Sequence, residues 1–173
     1  MADPQEKIFQ HTIAIVVDNE AGVLARVIGL FSGRGYNIES LTVAPVADDD
    51  ATSRITVVTS GTRMVIEQIK AQLDRLVPVH VVSDLTQDGP AVERELALVK
   101  VSGVGENRVE SLRLADAFRA SVVDSTSSSF IFELTGKPTK ISAFIDLMRE
   151  LGLVEVARTG VLALRRGKAG LEQ

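Results

Sequence analysis

Residues 8–17, IFQHTIAIVV, are β-branched and mostly apolar, which predicts a strand covered at least partly on both faces. From Val23 to Arg34 the apolar positions Val23, Leu24, Val27, Ile28, Leu30 and Phe31 recur at helical spacing. Gly33 and Gly35 bracket the end of that helix, where a left-handed residue commonly stops one. IESLTVAPV (38–46) and SRITVVTS (53–60) read as two strands around the turn-like ADDDAT. A second helix over 62–76 puts Ile66, Ile69, Leu73 and Leu76 on one stripe and ends before Pro78. VHVVSDLT (79–86) follows as a strand, so the order is βαββαβ.

QDGPA (87–91) has the composition of a linker, and after it the same order returns. LALVKVSG (96–103) is a strand and NRVESLRLADAFRA (107–120) a helix with Val109, Leu112, Ala115 and Phe118 inward. SVVDS and SFIFELTG form a hairpin around Thr126–Ser128, KISAFIDLMREL (140–151) is a helix, and VEVARTGVLALRR (154–166) reads as one closing strand. The element order repeats while the residues do not. The expected architecture is α+β: two ferredoxin-like βαββαβ domains, 8–86 and 92–168, each an antiparallel sheet with helices on one face. TIAIVV and ITVVTS, the expected central strands, are apolar on both faces. Helices cover only one, so the other face or a sheet edge needs covering by another chain or domain. Oligomerisation is therefore expected.

Composition narrows the function. The chain has no cysteine and two histidines, which removes disulfides, thiolate metal sites, cysteine nucleophiles and an all-histidine zinc site. A net charge of −4 argues against a nucleic-acid surface built on phosphate contacts. Aromatics at 4% leave no stacking platform for RNA on the central strands. No apolar run is long enough to cross a membrane, and MADPQEK lacks the pattern of a secretory leader, so a cytoplasmic protein is expected. His11 reads as a packed or surface strand histidine. Asp48–Asp50 reads as a solvated hairpin tip without the further ligands of a calcium loop. Gly103-Val104-Gly105 is a fragment of a phosphate loop without its lysine. Ser125 and Ser127–Ser129 have no neighbouring histidine to activate them. No catalytic residue is expected, and the chain reads as a ligand-sensing or partner-binding module.

The stretch DNEAGVLARV (18–27) carries the one pointed signal. Gly22 sits between a strand and a helix whose first turn holds no acidic residue. A glycine there lets backbone approach a ligand closely, and the N–H groups of Gly22, Val23 and Leu24, backed by the helix dipole, suit a carboxylate. Asp18 and Asn19 are placed to orient an ammonium group, and Val23 and Leu24 to offer an apolar wall. Carboxylate, ammonium and apolar side chain together describe a small aliphatic amino acid. The competing reading is a tight turn with Asp18 or Asn19 as a helix cap.

These same residues carry a resemblance. NEAGVLARVIGLFSGRGYNIESLTVAPV (19–46) with SRITVVT (53–59) resembles the amino-terminal ACT domain of the small regulatory subunit of acetohydroxyacid synthase, also called acetolactate synthase. VERELALVKV (92–101) and VEVARTGVLALRRG (154–167) resemble that subunit's carboxy-terminal half, and the likeness runs from Ile8 to Lys168. It implies regulation without catalysis. In that family the large, catalytic subunit binds thiamine diphosphate, magnesium and FAD and condenses pyruvate with pyruvate or 2-oxobutyrate. The small subunit carries none of these cofactors. It raises activity and confers feedback inhibition by valine or another branched-chain amino acid. The resemblance also implies a homodimer through the ACT domains, with the effector between the strand–helix turn of one chain and the start of the second strand of its neighbour. By position the first set is Asn19, Glu20, Ala21, Gly22, Val23 and Leu24, and the second Asn37 and Ile38. Ala25 stands where some relatives carry a serine. The second half lacks a matching glycine turn and is assigned to assembly or to the catalytic subunit, with Arg34, Tyr36 and Arg54 offered as further contacts. The alternative is another tandem ACT regulator, sensing glycine or serine and controlling a different enzyme or transcription.

Overall fold

Residues 7–46 and 51–171 are described in a computed structural model. The element order is β1 (Phe9–Asp18), α1 (Val23–Gly33), β2 (Ser40–Pro45), β3 (Thr52–Gly61), α2 (Arg63–Leu73), β4 (Val79–Asp84), β5 (Ala91–Ser102), α3 (Gly105–Phe118), β6 (Ser121–Ser125), β7 (Ser129–Gly136), α4 (Pro138–Arg149), β8 (Leu153–Arg158) and β9 (Leu162–Arg165). Two compact units result, one made of residues 1–92 with 161–173, the other of 93–160. Both are antiparallel sheets with equivalent strand orders, β2-β3-β1-β4 and β6-β7-β5-β8. This is the ferredoxin-like, ACT-type arrangement.

In the first unit, Ile13, Ile15 and Val17 of β1 and Ile55 and Val57 of β3 point to the helices. They meet Val23, Val27 and Phe31 of α1 and Ile66, Ile69 and Leu73 of α2 in one buried cluster. That is the alternation of a strand meeting the stripe of a helix. The opposite face of β1 is buried as well: Thr12, Ala14 and Val16 are at most 4% exposed. The cover expected from another chain or domain comes, on this face, from the C-terminal segment. Ala163 packs with Ala14 and Leu85, with Ala91 and Leu171 at their margin. Thr42 Oγ1 donates to the Val161 carbonyl at 3.2 Å, the Ser40 hydroxyl accepts from the Val161 N–H at 2.9 Å, and Arg54 Nη2 donates to the Ala163 carbonyl at 2.6 Å. Burial lowers the Arg54 pKa from its ordinary value.

The single closing strand expected over 154–166 is thus two strands. Gly160, at φ +86°, breaks the run, so β8 completes the second sheet while the residues beyond it join the first unit. In the second unit, Ala97, Val99 and Val101 of β5 and Phe130, Phe132 and Leu134 of β7 pack on Ile141, Phe144, Ile145 and Met148 of α4. Leu98, Lys100, Ile131, Glu155 and Ala157 line the opposite face of that sheet as a shallow hollow. Glu95 is buried and holds both its oxygens 2.6 Å from the Arg158 guanidinium, which raises the Arg158 pKa.

Candidate functional site

The turn between β1 and α1 has none of the caps its sequence offers. Gly22 is the N-cap residue, in the left-handed region at φ +87°, and no side chain accepts from the first turn. Asp18 Oδ1 instead lies 2.6 Å from His80 Nε2, and the Asn19 N–H donates to the Ala51 carbonyl at 2.8 Å. The first helical turn holds no acidic residue. Of the three donors expected to be open, one is spent: the Val23 N–H donates to the Glu20 carbonyl at 3.3 Å, closing the turn. The Arg26 N–H reaches the Gly22 carbonyl at 3.1 Å. Among the described residues nothing accepts from the N–H groups of Gly22, Leu24 or Ala25. Unmatched donors and the positive end of the helix dipole face the same way and favour an anion. Arg26 pairs with Glu20 at 3.0 Å, which balances the nearest carboxylate of the turn.

Asn19, Glu20, Ala21 and Gly22 are exposed, Val23 is buried, and Leu24 is half-buried against the core. The turn therefore presents a polar rim over an apolar floor. At the far end of α1, Gly35 at φ +70° stops the helix: its N–H donates to the Ser32 carbonyl and that of Tyr36 to the Phe31 carbonyl. Asn37 follows and is exposed, and no described group bonds its side-chain amide. Ile38 is half-buried on the core.

The structure does not bring these two sets together within one chain. α1 has 11 residues, a length of about 16 Å. Asp18, before the turn, lies opposite Thr52 on β3, whereas Ser40, after Asn37, lies opposite Val58, towards the other end of that strand. An amino acid is too small to touch both.

The remaining candidates fall away from this turn. His11 is buried, with Nδ1 2.7 Å from Asp84 Oδ2. Gly105 opens α3, and Thr126–Ser128 link β6 to β7. Arg54 is turned onto the C-terminal segment, Tyr36 is half-buried, and Arg34 is exposed. Asp48–Asp50 lie outside the described residues. Among those described, no three His, Asp or Glu side chains group to hold a metal ion, and no helix is long and apolar enough to cross a membrane. Two contributors escape a reading by strand periodicity. Thr59 occupies a core-facing position where alternation from Ile55 and Val57 calls for an apolar residue, and that mismatch was the available signal. The cover supplied by Val161 and Ala163 is visible only as an in–out pattern beyond Gly160.

Sheet order, helix placement and the glycine-capped turn define a tandem ACT-domain protein. Residues 13–81 match the family described as AHAS small subunit-like ACT domain, and residues 94–167 the family described as small subunit of acetolactate synthase. The chain is 51% identical over 158 residues to the probable acetolactate synthase small subunit of Archaeoglobus fulgidus, covering 91% of this chain and 98% of that protein. It is 49% identical to the acetolactate synthase isozyme 3 small subunit of Escherichia coli, covering 90% and 94%. The crystal structure of the acetolactate synthase small subunit from Thermotoga maritima superposes with a TM-score of 0.83 at 35% identity, covering 93% and 99%. The chain belongs to the acetolactate synthase small-subunit family.

Proposed function

We propose that this chain is the non-catalytic regulatory subunit of an acetolactate synthase in branched-chain amino-acid biosynthesis. It activates the catalytic subunit and confers feedback inhibition by valine or a related branched-chain amino acid. The observation that carries the effector reading is the start of α1, where open N–H donors lie around a left-handed glycine with no side-chain cap and no acid in the first turn. The effector's carboxylate takes those donors, and its aliphatic side chain rests towards Val23 and Leu24. Because Asn37 and Ile38 lie a helix length away in the same chain, they reach the ligand from a second copy, so the site needs a homodimer through the ACT domains. Condensation of the 2-oxo acids, with thiamine diphosphate, magnesium and FAD, is assigned to the catalytic subunit, and the pair works in the cytoplasm.

The test is reconstitution. The purified chain mixed with an acetolactate synthase catalytic subunit should raise turnover several-fold, and valine, leucine or isoleucine should reverse that gain. Unchanged turnover on mixing would overturn the reading and favour a tandem ACT regulator of some other enzyme.

A further inference from the structure

Asn37 is held in place by a polar contact from the sheet beneath it. On one side the backbone is fixed by the helix stop at Gly35 and Tyr36. On the other, the Glu39 N–H docks onto the Val58 carbonyl at 2.8 Å. Between these clamps, Thr59 Oγ1 donates to the Asn37 carbonyl at 2.6 Å. Thr59 has no exposed surface. It lies in β3 opposite His11, which is itself buried and fixed by Asp84. A hydroxyl in an apolar position of a strand costs free energy unless bonded, and among the described residues its acceptor is the Asn37 carbonyl. With that carbonyl tied down and Ile38 packed on the core, the Asn37 side chain is left exposed with both amide groups open.

We infer that Thr59 is a positioning residue for effector recognition: its buried hydroxyl sets the Asn37 backbone and thereby presents the Asn37 amide to a ligand carried by the neighbouring copy. This rests on the proposal that the effector lies between the Gly22 turn and Asn37. Thr59 never touches the ligand and acts only through Asn37. Its removal should therefore weaken binding by what one lost hydrogen bond is worth, and nothing further once Asn37 has gone.

The experiment is calorimetric titration of L-valine into the full-length chain and four variants, with thermal unfolding recorded for each. Thr59→Val, near-isosteric, should weaken valine binding roughly five- to tenfold, and Thr59→Ser should restore it to within about twofold. Asn37→Ala should weaken it at least as much as Thr59→Val, and the double variant Thr59→Val/Asn37→Ala should be no weaker than Asn37→Ala alone. A purely structural threonine would add its loss in the double variant, so additive losses overturn the proposal, as does full affinity in Thr59→Val. Full affinity in Asn37→Ala removes instead the site reading on which it rests. Should Thr59→Val fail to fold, Thr59→Ala takes its place in the same cycle, with the same outcomes deciding.

Discussion

Gly22 holds a left-handed conformation at φ +87°, and a Cβ added there meets no described atom within 4 Å. Conformation rather than crowding is therefore the constraint. Asp tolerates that region better than most side chains, so Gly22→Asp should fold, at a backbone cost of about 1 kcal/mol. Its carboxylate would sit among the open amides and compete with the effector's own. The expected outcome in the reconstituted enzyme is retained activation, with the valine concentration for half-inhibition raised by at least about tenfold. Gly22→Ala carries the same backbone strain without the charge and should shift inhibition less. Equal effects of the two would trace the loss to strain. At this scale the glycine and the acid-free first turn were legible directly from the residues. The spending of the Val23 amide on Glu20 was not, because a turn's internal hydrogen bond follows from its dihedrals and not from residue type.

Among the elements, β9 shows why a correct strand pattern can still leave open what the strand covers. Val161 and Ala163 are buried while Leu162 and Leu164 are exposed, so the alternation of a strand is plain in the sequence. Which sheet it covers depends on the reversal at Gly160, a long-range choice that local periodicity does not encode. The helices and the central strands lie where local spacing puts them, but the stripe expected on α3 is only half right. Ala115 and Phe118 face the core, whereas Val109 and Leu112 are exposed and Ser111 and Leu114 turn inward instead. Ending the chain after Gly160 removes the burial of Val161 and Ala163 and their bonds to Ser40, Thr42 and Arg54, and uncovers Ala14. The expected loss is about 3 kcal/mol, visible as a fall in Tm on the order of 10 °C, with valine binding reduced in step. Ending it after Lys168 keeps every one of those bonds and should change Tm by only a few degrees.

Over the whole molecule, the chain leaves the first unit after Val92 and rejoins it at Val161, so the second unit is an insertion within the first. The two ends of the first unit that flank the insertion are joined by backbone: the Arg166 N–H donates to the Pro90 carbonyl at 2.9 Å. The first unit thus contains every residue assigned to the effector, all of its core, and the segment that closes its second face. Replacing residues 93–160 by a flexible linker of about ten residues, long enough to span the gap between those anchored ends, should leave a unit that unfolds in one cooperative step. Calorimetry should find valine binding within about threefold of the full-length chain. The contrast with truncation after Gly160 isolates the cause. The two are complementary: truncation keeps the second unit, residues 93–160, and loses the closing segment, whereas excision loses that unit and keeps residues 161–171 against the sheet. If excision loses valine binding, the second unit itself supports the site; if only truncation loses it, the closing segment does.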